Sequence, residues 1–415
     1  MLKGRVKLAP GKKVETNIAV EPVEVIEQKK SVSRTKSKVK DSSELSLESL
    51  AKTRAKSVKK ETYEFGETPS IHSKKYPKIN PAEAIIFDEN DWLTVGDGDG
   101  YQNYFRRKFY DKTSVKYGQL KLLTTEIQFF NKYWNPEIVP APLCVYVGSA
   151  PGIHLIPLLK MYPQITFHLY DPRDVFDKQL YNKEFSSRVQ LFVQFFTSSD
   201  AVKYAGRDDV YFVSDIRSSD YNRDNSETEE SKKANEALVK EDLARQAEWV
   251  EIIQPVKAHL KFRLPFQEPY DWVEKETLYF DGDVYKQPWA PQTSTETRLI
   301  PDLKAVKRKW NNKMYEDMLF YHNNVIRQHV NYINVLSQNN ESYLEELGLT
   351  QDYDSTVFIQ TLKEYVARFT YENPIDEEKT VLNLARSILE DLGKPSFIVD
   401  SRKGVKISEI EVDDE

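Results

Sequence analysis

The chain has 415 residues, a formal net charge of −6 and one cysteine, and 40 % of its residues are hydrophobic. This length and apolar content suffice for one large domain with extensions or for two domains. A single cysteine excludes an intrachain disulfide framework and a multi-cysteine zinc site, and we expect Cys144 to fill space in a buried strand. No apolar run approaches the ~18 residues of a membrane helix. Residues 1–5 lack the apolar region of a secretory signal, which predicts an intracellular, soluble protein with no membrane contact.

Charge is distributed unevenly along the chain. Residues 1–80 hold 19 Lys and Arg against 10 Asp and Glu, a net of +9, which leaves −15 for the rest. RNA binding therefore needs a local basic cleft or the basic tail. Residues 1–75 show no sustained periodicity and predict a disordered tail, either merely solvated or a tether for RNA or a partner. One ordered domain is predicted over 76–400, and an acidic, frayed tail over 401–415.

The ordered part is predicted to begin with short apolar and glycine-rich segments at 84–87 and 96–100, followed by an amphipathic helix at 121–134. Apolar runs of strand length follow at 143–147, 165–170, 189–196, 209–214, 256–262, 277–280 and 297–300. Helical patterns lie at 152–161, 232–253, 310–337, 355–370 and 378–392, and a polar loop is expected at 218–231. This alternation predicts an α/β fold with a doubly wound, mostly parallel sheet. The C-terminal helices either cover the sheet or form a partner surface.

A strand that feeds a glycine-containing turn is the first sign of a ligand site. The turn from Gly148 to Gly152 is neither the Gly-x-Gly-x-x-Gly fingerprint nor a Walker loop, which argues against a nicotinamide dehydrogenase. Its glycines allow a sharp turn and close approach of a ligand. Asp171 ends the next strand, where a carboxylate accepts hydrogen bonds from an adenosine ribose. Together they predict a site for S-adenosylmethionine; a structural turn and a helix-capping aspartate are the alternative.

Four charged residues stand in the order Lys121, Asp215, Lys261 and Glu296, which is the order of the active-site tetrad of RNA ribose 2'-O-methyltransferases. Asp215 directly follows an apolar run, at the strand end where open α/β sheets place their sites. Lys261 lies on the polar face of an alternating strand, a pattern that also describes an ordinary half-solvated strand. The alternative interpretation is therefore that these four residues are unrelated surface charges. The six histidines show no ligand spacing for a metal.

Methyl transfer to a ribose 2'-hydroxyl explains why such a set of charges is useful. The hydroxyl is a poor nucleophile, so its proton must be removed or its developing charge stabilised. A lysine accepts the proton when burial and a neighbouring cation lower its pKa. We expect Lys261 to engage the hydroxyl and Asp215 to orient it, while Lys121 supplies the cation and Glu296 balances charge.

Several segments resemble one viral family. They are residues 117–123, 145–154, 213–218, 260–266, 287–291 and 296–299. Over residues 80–395 the chain resembles the poxvirus cap-specific mRNA 2'-O-methyltransferases that also serve as the regulatory subunit of the viral poly(A) polymerase. The resemblance implies a Rossmann-like methyltransferase fold with C-terminal helices and S-adenosylmethionine as cofactor. It also implies capped mRNA methylated at the first transcribed nucleotide, a poly(A) polymerase catalytic subunit as partner, and a location in the host cytoplasm or virion.

The resemblance also implies roles for matching residues. The residues that it assigns to the cofactor are Gln119, Tyr146, Gly148, Pro151, Gly152, His154, Asp171, Arg173, Asp215 and, more loosely, Phe196. The catalytic tetrad falls on Lys121, Asp215, Lys261 and Glu296, and the nearby Arg298 is expected to contact the cap or RNA. His154 is expected to pack at the cofactor loop and not to act in catalysis.

A cap site is implied as well, with the methylated guanine between two aromatic rings. One ring matches Phe266, and the other is Tyr101 or Tyr104. A cationic base between such rings gains about 2 kcal/mol when desolvated. Carboxylates at the guanine edge match Glu268 and Glu316, and a rival alignment puts Asn311 in the second position. The alternative function is that of an RNA-binding processivity subunit of a viral poly(A) polymerase, alone or in addition to catalysis.

Overall fold

The computed structural model describes residues 118–218, 228–266, 273–291, 293–323, 327, 341–349, 352–369 and 376–393. All of them belong to one compact unit. The predicted tails at 1–75 and 401–415, the segments at 84–87 and 96–100, and three predicted cap residues, Tyr101, Tyr104 and Glu268, lie outside the described residues. The domain boundaries at 76 and 400 therefore stay predictions.

The described residues form nine strands. These are β1 (Leu143–Val147), β2 (Thr166–Asp171), β3 (Val189–Val193), β4 (Val210–Ser214), β5 (Lys257–Phe262), β6 (Glu276–Tyr279), β7 (Gly282–Lys286), β8 (Thr297–Pro301) and β9 (Arg308–Asn311). Seven strands build one sheet in the order β3-β2-β1-β4-β5-β8-β7, and β6 pairs with β9 in a small antiparallel sheet. Strands β1 to β5 are mutually parallel, whereas β8 runs antiparallel to both β5 and β7. This confirms the predicted α/β class with a mostly parallel sheet.

Helices cover both faces of this sheet. They are α1 (Gly118–Tyr133), α2 (Leu155–Met161), α3 (Ser198–Val202), α4 (Glu229–Ile253), α5 (Asn312–Tyr321), α6 (Glu341–Leu347), α7 (Tyr353–Phe369) and α8 (Glu377–Asp391), with a 3-10 turn at Lys178–Tyr181. Local chemistry sets several ends. The Thr228 side chain accepts from the Ser231 N–H and starts α4, and Gln254, at φ 49°, ends it.

Two apolar cores lie on opposite sides of the sheet because successive side chains of a strand point in opposite directions. In β1, Cys144 and Tyr146 pack into the core that contains α1, α2 and α7, and Val145 packs into the core that contains α4 and α5. Cys144 is buried, as predicted for a space-filling residue. The apolar side chains of α7 and α8 pack in the same core as α1, so these helices cover one face of the sheet.

The strand order reverses beside β1, because β2 lies on one side of it and β4 on the other. Ligands of open α/β sheets bind at the carboxyl ends of strands at such a switch point. The two strand ends are in close contact here: the Asp215 N–H donates to the Val147 carbonyl at 2.8 Å. Gly148 has φ +79°, and an added Cβ would lie 2.8 Å from the Asp215 carbonyl carbon. Only glycine therefore fits this position without displacing Asp215.

The structure corrects two predicted boundaries and adds a strand. The predicted strand at 189–196 ends at Val193, because the chain turns and the Gln194 N–H bonds to the Phe192 carbonyl. The predicted helix at 310–337 begins only at Asn312, since the preceding residues pair as β9 with β6. Strand β7 was not predicted, because its short sequence has no clear alternation. No helix in the described part of the chain is long and apolar enough to cross a membrane.

Candidate active site

A cluster of charged side chains occupies the carboxyl edge of β4 and β5. Lys261, near the end of β5, places Nζ 2.9 Å from Asp215 Oδ1 and 3.4 Å from Glu296 Oε2. Asp215 directly follows β4, and Glu296 directly precedes β8. Two carboxylates from different elements therefore hold one ammonium group between them.

The second lysine reaches the same cluster from a helix. Lys121, in the first turn of α1, lies 3.5 Å from Glu296 Oε1 through Nζ. Its side chain is 19 % exposed, and that of Lys261 is 14 % exposed, so both ammonium groups are largely shielded from water. The structure thus brings together all four members of the predicted set, which lie up to 175 residues apart in sequence.

Two guanidinium groups complete the cluster. Arg298, on β8, is 1 % exposed and places Nη1 2.7 Å from Asp215 Oδ1 and Nη2 3.6 Å from Glu296 Oε1. Arg217, two residues after Asp215, pairs with Glu296 Oε2 from a more exposed position. With all groups ionised, four cations surround two carboxylates, which gives the cluster a net charge of +2.

This charge balance shifts the pKa values of the cluster. Burial lowers the pKa of Lys121, an effect that Glu296 opposes and that Arg298 and Lys261 reinforce. Burial raises the pKa of Asp215, but Arg298 and Lys261 lower it more, so the carboxyl stays ionised. The pKa of Glu296 is likewise well below its usual range, because the attraction of Lys261 and Lys121 outweighs burial.

Sequence reasoning missed Arg217 and Gln287, two neighbours of Glu296. Gln287 directly follows β7 and donates from Nε2 to Glu296 Oε1 at 3.2 Å. Both residues lie inside segments that carry the family resemblance, so that signal was present in the sequence. It did not show that both side chains converge on the same carboxylate.

The glycine turn after β1 and Asp171 at the end of β2 lie next to each other at the carboxyl edge of the sheet. Asp171 ends β2 and is buried, and its carboxylate accepts hydrogen bonds from the Ala150 N–H at 3.2 Å and from Arg173 at 2.9 Å. Arg173 also donates to the Ala150 carbonyl at 2.9 Å. Gly152 takes φ +73°, and an added Cβ would lie 3.0 Å from the Ser149 carbonyl oxygen. The predicted cofactor loop is thus a tight turn held to the end of β2.

The other predicted cofactor residues flank this turn. Gln119 Oε1 accepts hydrogen bonds from the His154 backbone N–H at 3.2 Å and lies 2.9 Å from its Nδ1. Tyr146, on β1, lies 3.3 Å from His154 Nε2 through its hydroxyl. Pro151 follows a cis peptide bond inside the turn. Phe196 is buried farther along the edge, where its ring packs against Tyr170 with centroids 4.8 Å apart.

The predicted cap residues lie in different surroundings. Phe266 is 5 % exposed, and the Arg263 guanidinium lies 4.3 Å from the centre of its ring. Glu316 is fully buried in α5. Asn311 is exposed and caps α5, because its side chain accepts from the Met314 N–H at 2.9 Å. The cap assignments of all these residues stay predictions.

A cleft opens beside the cluster. Its lining is formed by Ile216, Arg217, Val239, Asp242, Leu243, Gln246, Lys261, Arg263 and Glu296. It combines aliphatic side chains from α4 with three cationic side chains and with the carboxylates of Asp242 and Glu296. The cations outnumber the carboxylates by one, so the local excess of positive charge is small.

The sheet, its helices and the position of the cluster at the carboxyl edge define a Rossmann-like methyltransferase fold. A family model described as the poly(A) polymerase regulatory subunit matches residues 91–393. The chain therefore belongs to the poly(A) polymerase regulatory subunit family, which confirms the resemblance found in the sequence.

Relatives in two poxviruses are named cap-specific mRNA (nucleoside-2'-O-)-methyltransferase, the enzyme class that the sequence predicts. The Fowlpox virus (strain NVSL) protein is 30 % identical over 224 residues, which cover 51 % of this chain and 68 % of that relative. The Myxoma virus (strain Lausanne) protein is 30 % identical over 228 residues, which cover 51 % of this chain and 62 % of that relative. The matched segment thus spans about two thirds of the length of these relatives.

Proposed function

We propose that this protein is a cap-specific mRNA ribose 2'-O-methyltransferase that uses S-adenosylmethionine and methylates the first transcribed nucleotide. One observation carries the proposal: Lys261 Nζ is held between Asp215 and Glu296, at the strand edge next to the Gly148 turn. The names of the poxvirus relatives support the same reaction. Their viral origin supports a location in the host cytoplasm or virion.

Lys261 is the group that meets the 2'-hydroxyl. An ammonium group has three donors: one bonds to Asp215 Oδ1 at 2.9 Å, and Glu296 Oε2 lies within ion-pair distance at 3.4 Å. The third direction is left for the substrate oxygen, so the two carboxylates fix the geometry of the lysine. The hydroxyl proton passes to Nζ when the lysine is in its amine form.

The remaining cations stabilise the oxygen as it gains negative charge. With Lys261 as the amine, Lys121, Arg217 and Arg298 against two carboxylates leave a net charge of +1, which rises to +2 once Nζ holds the proton. Such fixed charges act more strongly in a shielded site than in water. Lys121 and Arg298 supply two of these charges within contact distance of Glu296. Removal of either should slow methyl transfer more than it weakens RNA binding.

The turn after β1 fits S-adenosylmethionine. Gly148 and Gly152 bring bare backbone to the switch point of the sheet, and the buried Asp171 carboxylate lies at the end of the neighbouring strand. We assign Asp171 and Arg173 to the adenosine side, and Gln119, Tyr146, Pro151, His154 and Phe196 to the surrounding wall. When bound, the sulfonium supplies an activated methyl group.

The residues of the cap site are proposed from the family resemblance. We propose that Phe266 provides one stacking surface, Tyr101 or Tyr104 the other, and Glu268 and Glu316 the carboxylates. Arg298, predicted to contact the cap or RNA, is buried and pairs with Asp215 through Nη1, so we expect it to act on charge and not on the cap itself.

Labelled S-adenosylmethionine and short RNA with or without a methylated guanosine cap test the proposal. We expect label on the ribose of capped RNA only, and a loss of about 100-fold or more in kcat for Lys261→Ala. Lys257→Ala is the matched control: it lies on the same strand, but its Nζ faces the Tyr133 ring at 5.3 Å, away from the cluster. Cap-independent transfer, or equal loss in both variants, would refute this assignment.

A second function is supported by the family match: a regulatory subunit that helps a poly(A) polymerase catalytic chain to remain on RNA. It requires RNA and partner binding but no methyl transfer. The rate of poly(A) elongation by the cognate catalytic chain, compared with and without this protein, measures this function. Stimulation that persists in the inactive Lys261→Ala variant would support two separate functions. Without any stimulation, methyl transfer would be the only function that we propose.

A further inference from the structure

A buried carboxylate on α4 holds the segment that follows β5, and the chemistry above does not use it. Glu236 is 3 % exposed. Its Oε1 accepts a hydrogen bond from Arg263 Nη2 at 2.8 Å, and its Oε2 accepts one from Arg263 Nη1 at 2.8 Å. Two parallel bonds of this kind fix the plane of the guanidinium relative to the carboxyl group.

The same carboxyl group also holds the backbone three residues farther along the chain. The Phe266 N–H donates to Glu236 Oε2 at 3.0 Å. All three donors are N–H groups, so both oxygens of Glu236 are acceptors. One side chain of α4 therefore ties down both ends of the segment from Arg263 to Phe266, directly after β5.

Arg263 in turn contacts the ring of Phe266. Its guanidinium carbon lies over the ring, 4.3 Å from the centre. Stacking of a guanidinium on an aromatic ring is an attractive contact. Glu236 thereby fixes Phe266 twice, through the backbone N–H and through the arginine that covers one face of the ring.

The position of this segment matters for the proposed reaction. Phe266 follows Lys261 by five residues, and Arg263 lines the cleft beside Lys261. A ring that is already fixed spares the ligand the entropic cost of ordering it. A fixed ring also sets how far a base stacked on it lies from the catalytic lysine.

We propose that Glu236 is a positioning residue of the cap site, which holds the Phe266 ring ready to stack on the methylated guanine. The inference rests on the proposed function, since Phe266 is assigned to the cap there. The competing explanation is a structural ion pair between Glu236 and Arg263 that only fastens α4 to β5. The two explanations differ in which ligand loses affinity when Glu236 is changed.

Ligand affinities of the full chain separate these explanations. In Glu236→Gln the side chain keeps its shape, but its amide must turn an N–H group toward one of the donors. Binding of a methylated cap dinucleotide, followed by fluorescence quenching, should weaken about 10-fold relative to the wild type. The affinities for uncapped RNA and for S-adenosylmethionine should stay within about two-fold, because neither ligand stacks on Phe266.

Glu241→Gln is the matched control. Glu241 lies on the same helix and accepts from Arg245 Nη2 at 3.0 Å, but its side chain is exposed and far from the segment after β5 in its contacts. It should leave cap affinity within about two-fold of the wild type. Glu236→Asp keeps the carboxyl group on a shorter stem and should lose part of the affinity, which provides a second variant if Glu236→Gln does not fold. Wild-type cap affinity in the Glu236 variants would overturn the proposal.

A double variant shows whether the effect passes through the ring. Phe266→Ala removes the ring, so adding Glu236→Gln should weaken cap binding by less than about two-fold in that background. If Glu236→Gln weakens cap binding equally with and without the ring, the carboxyl group acts in another way and the proposal is wrong. Equal losses of affinity for the cap, uncapped RNA and cofactor would likewise indicate a structural ion pair.

The proposed function and this inference fail in different ways. If the wild type binds capped and uncapped RNA equally well, cap specificity is refuted and the inference falls with it. If the wild type prefers capped RNA and Glu236→Gln keeps the same preference, cap specificity stands and only the inference is refuted.

Discussion

Two arginines contact Glu296, and they differ in burial, which makes them a matched pair for testing what holds the cluster together. Arg298 is 1 % exposed and bonds to Asp215 at 2.7 Å, whereas the Arg217 side chain is 44 % exposed. Arg298→Met and Arg217→Met each remove one guanidinium and keep a flexible apolar stem. The two variants therefore ask how much the same charge contributes when buried and when solvated.

Arg298→Met should lower the free energy of unfolding far more than Arg217→Met. Removing one partner of a buried pair leaves a carboxylate without compensation and destabilises a protein by about 3–5 kcal/mol. An exposed pair contributes roughly 0–1 kcal/mol, since water and salt screen it. The free energy of unfolding, measured in urea near neutral pH, should therefore fall by several kcal/mol in Arg298→Met and by less than about 1 kcal/mol in Arg217→Met.

The pH dependence gives the sign of the effect. The folded protein holds the pKa of Asp215 below its usual range, so Asp215 contributes stability above an ordinary value near 4, and this contribution is lost as pH falls through the folded pKa. Without Arg298 that pKa rises. The difference between wild type and Arg298→Met should therefore be largest near neutral pH and shrink as the pH is lowered below about 4.

Equal and small losses in the two variants would refute the reasoning, because they would mean that water reaches Arg298 and screens it. A difference that stays constant from neutral to acidic pH would show that the loss comes from packing of the arginine stem and not from its charge.

Two further predictions concern neighbouring positions. Gly148→Ala should lower the free energy of unfolding by roughly 1–3 kcal/mol and slow methyl transfer, because the added Cβ would lie 2.8 Å from the Asp215 backbone. Gly206→Ala is the control, since Gly206 has a similar φ of +76° but nothing within 4 Å of an added Cβ. It should lower stability through backbone strain and leave activity unchanged. His259 is buried, its ring nitrogens lack hydrogen-bond partners in the described structure, and burial lowers its pKa well below the usual value. As the pH falls from 8 to 5, the free energy of unfolding of His259→Leu should therefore rise by about 2 kcal/mol relative to that of the wild type, since only the unfolded histidine takes up a proton in this range. If chemical denaturation shows no such relative gain in stability, the ring is not neutral and buried.

The fold could be predicted from the sequence where periodicity was strong. Apolar runs such as those of β1 and β4 are buried on both faces, so their composition alone indicates a central parallel strand. Boundaries were less certain where local contacts decide them, as at the turn after Phe192 that ends β3. Strands β7 and β9 escaped prediction because a short strand is defined by its pairing partner and not by its own composition.

The sequence by itself determined the residue types of the candidate site: a glycine turn after a strand, an aspartate at the next strand end, and four charges in a characteristic order. Tertiary structure decided which charges meet. The antiparallel register sets Lys261 opposite Arg298, and both cations then share Asp215. Likewise, Glu236 is one glutamate among many until packing buries it against Arg263 and Phe266. The sequence does not specify the distance between two charges. Only the folded backbone sets the separation and burial on which their interaction depends.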